Sequence, residues 1–328
     1  MLTLLICYIY QVNAQQMYVH DPVTIKQGEK YYLYCTHHGI ASFESDDLIT
    51  WKYTGPVFTE IPAWTYEKVN DFKGHIWAPD IVFRNGLYYI YYSVSSFAKN
   101  TSCIGVATNV TLDTADAGYA WKDQGMVVQS VPGRDLWNAI DPNIAFDTDG
   151  TPWMTFGSFW QGMKLVKLDS TLLRIAQPEE WYTIAKRPRS YDIPDRNPGD
   201  AAIEAPFIFK KHGYYYLFVS FDFCCRGVNS TYKIMVGRSK NITGPYRDKE
   251  GKDLFNGGGS LVLKGDERYA GVGHNSAYTF NSTDYLISHA YDTKDEGRPV
   301  LRIMEMEWDE ELWPVPKPES ELECVKTE

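Results

Sequence analysis

The chain has 328 residues, 15% of them aromatic with 24 Tyr and 10 Trp, and a net charge of −10. That length holds one large core or two domains. The acidic balance, with no basic cluster, argues against a nucleic-acid-binding surface, and the aromatic content suits β-strands and the stacking of sugar rings.

The N-terminal stretch is apolar from Leu2 to Tyr10 and ends in Val12-Asn13-Ala14, as signal peptides do. It is shorter than the ~20 apolar residues that span a bilayer. We therefore expect residues 1–14 to be a signal peptide and residues 15–328 to form one domain, secreted and not membrane-bound. Sequons at Asn100, Asn109, Asn229, Asn241 and Asn281 fit a secreted glycoprotein. Removal of the leader takes Cys7 and leaves Cys35, Cys103, Cys224, Cys225 and Cys324, an odd set with at least one unpaired thiol. Cys224-Cys225 reads equally as a bonded neighbouring pair or as two thiols.

From His20 onward a unit recurs. Its openings are His20-Asp21-Pro22, Trp77-Ala78-Pro79-Asp80, Ile140-Asp141-Pro142 and Ile203-Glu204-Ala205-Pro206, with the prolines 57, 63 and 64 residues apart. Each leads into a short apolar run, a turn and an aromatic strand: Val23-Thr24-Ile25 then Tyr31 to Tyr34, Ile81-Val82-Phe83 then Tyr88 to Tyr92, Ile144-Ala145-Phe146 then Trp153 to Phe156, Phe207-Ile208-Phe209 then Tyr214 to Val219. Asn85-Gly86 and Asp149-Gly150 at the turns are strong hairpin signals. A weaker fifth copy, His274 to Tyr278 and then Tyr285-Leu286-Ile287, lacks the proline and the acid. Further strand-like runs, such as Ser42 to Ser45, Leu48 to Trp51, Ile104 to Ala107 and Ile234 to Gly237, bring each unit to about four strands. The run Leu301 to Trp308 reads as one more strand, completing a blade begun at the N-terminus. A period near sixty residues built of strands, with no competing helical period, predicts an all-β, five-bladed β-propeller.

The first strand of each propeller blade lines the central channel, so residues at its start face one mouth. Asp21, Asp141 and Glu204 occupy such places. Any one of them is as readily a turn-capping residue, but three at recurring places suit glycoside hydrolysis, which needs a carboxylic acid for the leaving oxygen and a second carboxylate as base or nucleophile. A third acid nearby raises the pKa of the proton donor. Asp80 follows its proline instead of preceding it and is expected to be structural.

These openings, together with Asn138-Ala139-Ile140-Asp141, Ser158-Phe159-Trp160 and Gly273-His274-Asn275-Ser276, resemble glycoside hydrolase family 43, and within it the arabinan endo-1,5-α-L-arabinanases; the resemblance runs from about Val19 to Pro316. It implies an inverting enzyme acting on α-1,5-linked arabinan, with Asp21 as general base, Glu204 as general acid and Asp141 tuning Glu204. It also implies substrate contacts from Asp21, Asn138, Ala139, Ile140, Asp141, Ser158, Phe159 and Trp160, and a channel metal, usually calcium, at His274. Trp77 and Trp160 are candidate stacking platforms, with Trp160 preferred. No organic cofactor is expected, and the chain is expected to be monomeric. Two alternatives remain: an exo-acting α-L-arabinofuranosidase or β-xylosidase of the same family, and a non-catalytic carbohydrate-binding propeller, which the three intact acids disfavour. No Gly-x-Ser-x-Gly or His-Glu-x-x-His motif supports a serine-hydrolase or zinc-protease reading.

Overall fold

A computed structural model describes residues 16–317. The expected signal peptide, Cys7 and Cys324 lie outside the described residues. Five antiparallel sheets follow one another along the chain as the blades of a β-propeller. Blade 1 comprises Val23–Gln27, Lys30–Cys35, Ala41–Ser45 and Lys52–Pro56. Blade 2 comprises His75–Arg84, Leu87–Val94, Ser102–Asn109 and Lys122–Ser130, with His37–His38 added at the edge. Blade 3 holds Asn143–Phe146, Pro152–Phe156, Met163–Lys167 and Trp181–Ala185. Blade 4 holds Ile203–Lys211, Tyr214–Phe221, Lys233–Ser239 and Ser260–Lys264. Blade 5 holds Tyr269–Phe280, Thr283–Asp292, Arg298–Trp308 and Pro314–Pro316.

Each blade is hydrophobic on both faces because each is sandwiched between two others, and the buried apolar residues divide into clusters that match the seams. Val94 and Ile90 of blade 2 pack with Tyr32 and Tyr34 of blade 1. Leu165 and Ile184 of blade 3 meet Leu217 and Phe221 of blade 4. Phe218 and Val236 of blade 4 meet Leu286 and Ala290 of blade 5. Leu33 and Trp51 of blade 1 meet Ile287 of blade 5.

Two sequence expectations change in detail. Leu48 to Trp51 is not a strand; Ser45 and Asp47 cap a turn there, accepting from the amides of Leu48, Ile49 and Thr50, and the strand starts at Lys52. The strand Arg298–Trp308 belongs to the blade opened by Tyr269 and is not completed from the N-terminus alone. Pro314–Pro316 pairs with Met306–Trp308, while Tyr18 bridges Val300 and the Leu301 amide donates to the Met17 carbonyl at 2.9 Å. The first and the last of the described residues thus share the outer edge of blade 5.

Of the sequons, Asn100 and Asn109 are buried; Asn100 donates to the Asp135 and Trp137 carbonyls, and Asn109 accepts from the Val110 and Ala120 amides. The folded chain has no room for a glycan at either, whereas Asn229, Asn241 and Asn281 are exposed.

Candidate active site

The residue before the recurring proline is left-handed in four blades, and its counterpart is left-handed in the fifth: φ is 56° at Asp21, 43° at Ala78, 58° at Asp141, 53° at Ala205 and 47° at His274. Pairing with the neighbouring strand lapses there in three blades, between Trp77 and Asp80, between Glu204 and Phe207, and between Gly273 and Ser276. A bulge of this kind re-aims a side chain, and left-handed backbone at non-glycine residues clusters at functional sites. The repeated position is therefore Asp21, Ala78, Asp141, Ala205 and His274. Glu204 lies one residue before it and is not the equivalent of Asp21 and Asp141, contrary to the simple reading of the repeat.

The amide at this position is fastened to the previous blade. That of Ala78 donates to Thr36 Oγ1 (2.8 Å), that of Asp141 to Ser93 Oγ (2.9 Å), that of His274 to Ser220 Oγ (2.8 Å) and that of Asp21 to His289 Nδ1 (3.2 Å). The Ala205 amide instead donates to Asp141 Oδ2 at 3.1 Å.

Three expected acids line one cleft of about 1020 Å3 together with His274, Trp77, Asn138, Ile140, Ser158, Phe159 and Trp160. Asp21 Oδ1 receives His20 Nδ1 at 2.8 Å and His274 Nδ1 at 3.0 Å, and Oδ2 receives Thr36 Oγ1 at 2.5 Å. A carboxylate has about four lone-pair positions, so one on Oδ2 stays open. Burial opposes ionisation of Asp21, but His20 and His274 outweigh it and hold the carboxyl well below the usual range. Burial likewise opposes charge on His274, yet Asp21, then Asp141 and Glu204, raise it to about 9. Burial drives the Asp141 carboxyl upward; His274 pulls against this, and the negative charges of Glu204 and Asp21 add to the rise. Glu204 Oε2 accepts from Ser158 Oγ and Oε1 from Tyr232 Oη, both at 2.6 Å.

Several sequence expectations are redistributed. Ala139 is fully buried, donates its amide to Ser130 Oγ and does not line the cleft. Trp160 lines the cleft but is 2% exposed, with its indole N–H committed to the Asp195 carbonyl; the partly exposed Trp77 offers more of its ring. Ser158 acts on Glu204. Asp80 is structural as expected: Oδ2 accepts from the Ile144 amide (2.7 Å) and Asn143 Nδ2 (3.4 Å), tying blade 2 to blade 3.

Three partners escaped the sequence reading: Thr36, His289 and Tyr232. His289 and Tyr291 alternate along one strand so that both face the Asp21 segment, a period-two signal legible once the strand is known. Burial, reinforced by His20 and His274, holds the His289 pKa well below its usual value.

The calcium expectation rests on His274 alone. Its Nδ1 is committed to Asp21, and the two convergent groups of metal-capable side chains among the described residues, His20/Cys224/Cys225 and His20/Asp21/His289, exclude it. Calcium takes six to eight oxygen ligands. A single histidine nitrogen completed by water fits that preference poorly, so no step below runs through a metal.

Sequence comparison matches glycosyl hydrolases family 43 over residues 14–314. The extracellular exo-α-(1→5)-L-arabinofuranosidase of Cellvibrio japonicus is 51% identical, covering 94% of this chain and 89% of that protein. The extracellular endo-α-(1→5)-L-arabinanase 1 of Bacillus subtilis is 42% identical, covering 92% and 88%. The structure of Cellvibrio cellulosa α-L-arabinanase complexed with arabinohexaose superposes with a TM-score of 0.92 at 51% identity, covering 94% of this chain and 98% of that one. The chain therefore belongs to glycoside hydrolase family 43 and is a glycoside hydrolase of its arabinanase group.

Proposed function

We propose that the protein is secreted and hydrolyses α-1,5-linked L-arabinofuranosyl chains with inversion at the anomeric carbon. The observation that carries this is the division of charge in the cleft. Asp21 is held ionised with one open lone pair, while burial raises the carboxyl of Asp141 in the same cleft to about 8. Asp21 Oδ2 takes a proton from water as that water attacks the anomeric carbon, and Glu204 protonates the departing oxygen. Ser158 and Tyr232 hold Glu204 in place for this transfer. The proposed substrate follows the names of the relatives, and secretion follows their description as extracellular. No helix among the described residues is long and apolar enough to cross a membrane.

Attack from a chain end is favoured by 51% identity to the exo-acting relative against 42% to the endo-acting one. The motif resemblance favours internal cleavage. A time course on debranched arabinan separates them: one short product from the start marks chain-end attack, and an early ladder marks internal cleavage. Proton NMR of the first product should show the β-anomer. An α-anomer would overturn the inverting mechanism, and no hydrolysis would leave a carbohydrate-binding propeller.

A further inference from the structure

Behind Asp21 the structure contains a chain of contacts that neither the motifs nor the three acids account for. It starts in the loop after the second strand of blade 4, where Cys224 and Cys225 are bonded to each other, a pairing the sequence left open. Cys35 and Cys103 are free and buried. Cys225 is exposed and left-handed, with φ 65°, and its turn lines the cleft. Its amide donates to Tyr291 Oη at 2.7 Å. That oxygen lies 2.8 Å from His20 Nε2, and His20 Nδ1 lies 2.8 Å from Asp21 Oδ1. The His20 ring is clamped from one side by His289, centroid to centroid 3.9 Å.

The Tyr291 hydroxyl is anchored: its oxygen accepts the Cys225 N–H, Ser230 bonds to the same hydroxyl, and burial keeps the phenol protonated. Its contact with His20 Nε2 holds that ring with the other nitrogen, Nδ1, facing Asp21. The same loop reaches the acid: the Tyr232 amide donates to the Phe223 carbonyl at 3.1 Å, and Tyr232 Oη holds Glu204.

We infer that Tyr291 is a positioning residue of the reaction: held by the amide of the disulfide-closed Cys224-Cys225 turn, its hydroxyl fixes the His20 ring so that Nδ1 stays on the base Asp21. The inference rests on the reading of Asp21 as general base. Without Tyr291 Oη, the His20 ring loses its anchor at Nε2 and is free to turn Nδ1 away from Asp21 Oδ1. Loss of a donor to the charged form raises a carboxyl pKa. Asp21 is surrounded by His20 of its own segment, Thr36 of blade 1, and His274 and His289 of blade 5, with Asp141 and Glu204 across the cleft. None of these replaces the lost donor, since His274 already occupies its own place on Oδ1.

The test is Tyr291→Phe, which keeps the ring and deletes the hydroxyl. On debranched arabinan we expect kcat to fall about tenfold, the range seen when a residue that orients a reactive group is removed, with KM within about twofold of wild type. The acidic limb of the kcat/KM profile, which reports the base in the free enzyme, should move to higher pH. An unchanged kcat overturns the inference, and so does a lower kcat with an unmoved acidic limb, since packing damage alone leaves that limb in place. If the variant fails to fold by circular dichroism, wild type reduced with a phosphine supplies the same readout, the phosphine taking up oxygen from water as the disulfide becomes two thiols. An unmoved limb there also overturns it. Asp21→Ala separates the two readings: if it is inactive while Tyr291→Phe behaves as wild type, only the positioning role of Tyr291 fails, and if it stays active the base assignment fails and the positioning role with it.

Discussion

Asp80, on the first strand of blade 2, and Asp21, just ahead of the first strand of blade 1, are both buried aspartates, and their surroundings drive them in opposite directions. Asp21 meets imidazoles. Asp80 meets the Ile144 amide and the Asn143 side-chain amide, and burial outweighs both, raising its pKa to about 7. Folding therefore favours protonated Asp80, whereas the unfolded chain ionises it near the ordinary carboxylate value. The penalty is absent below the unfolded pKa, grows as pH rises between that value and about 7, and is constant above. Asp80→Asn keeps an oxygen for the Ile144 amide and removes the titration. Its Tm relative to wild type should rise between pH 4 and pH 7, on the order of the several degrees that a few kcal/mol produce in a domain. A difference in Tm that does not vary with pH would show that Asp80 does not titrate there. Subtracting the wild-type curve cancels the other shifted groups, Asp141 and His274 among them.

At the scale of the strand, the left-handed residue that opens each blade decides which side chain reaches the cleft, and Gly273 shows how narrow the fit is. It precedes His274, and a Cβ there would lie 2.1 Å from Tyr232 Cδ1 and 2.5 Å from Cε1. Tyr232 is 1% exposed and has nowhere to retreat. Gly273→Ala should therefore cost ~1–3 kcal/mol of stability by overpacking and swing Tyr232 Oη away from Glu204. We expect kcat to fall by at least about tenfold while the protein still binds arabino-oligosaccharide; full activity in a folded Gly273→Ala protein would show that Tyr232 does not hold the acid. This contact also marks where the sequence stops being legible. The hairpins, the blade count and the three acids follow from turn residues, strand alternation and the recurring X-Pro opening, all of which are local. The bulge offset that sets Glu204 one place ahead of Asp141, the burial of Trp160 and Ala139, and the convergence of Thr36, His289 and Tyr232 depend on how separate blades face one another. No spacing in the chain encodes that. Asp80 could be read as structural because its displacement past Pro79 is itself local.

A propeller is a ring, and its stability depends on how the last blade meets the first. Four of the seams lie between blades that are consecutive in sequence. The seam between blade 5 and blade 1 is closed by the segment ahead of the first strand: by the Tyr18–Val300 bridge, by the Leu301 amide on Met17 and the Val19 amide on Pro299 at 3.2 Å, and by Ser276 Oγ on the Pro22 carbonyl at 3.0 Å. Met17 and Val19 are buried there against Ile287 and Leu33. Few backbone bonds and a short buried segment make this the element expected to open at the lowest free energy. It is also the seam that carries the base, since His20 and Asp21 come from one side and His274, His289 and Tyr291 from the other. Hydrogen exchange followed by mass spectrometry should show peptides spanning residues 16–20 and 298–302 exchanging faster than those spanning the second strands of blades 2 and 4, Leu87–Val94 and Tyr214–Phe221. Saturating arabino-oligosaccharide should slow exchange at the seam more than elsewhere, because a ligand that binds only the closed arrangement adds its binding free energy to the cost of opening. Equal, slow exchange at all four segments would mean the ring has no weak seam. Protection that appears only outside residues 16–20 and 298–302 would mean that the ligand does not engage the base side of the cleft.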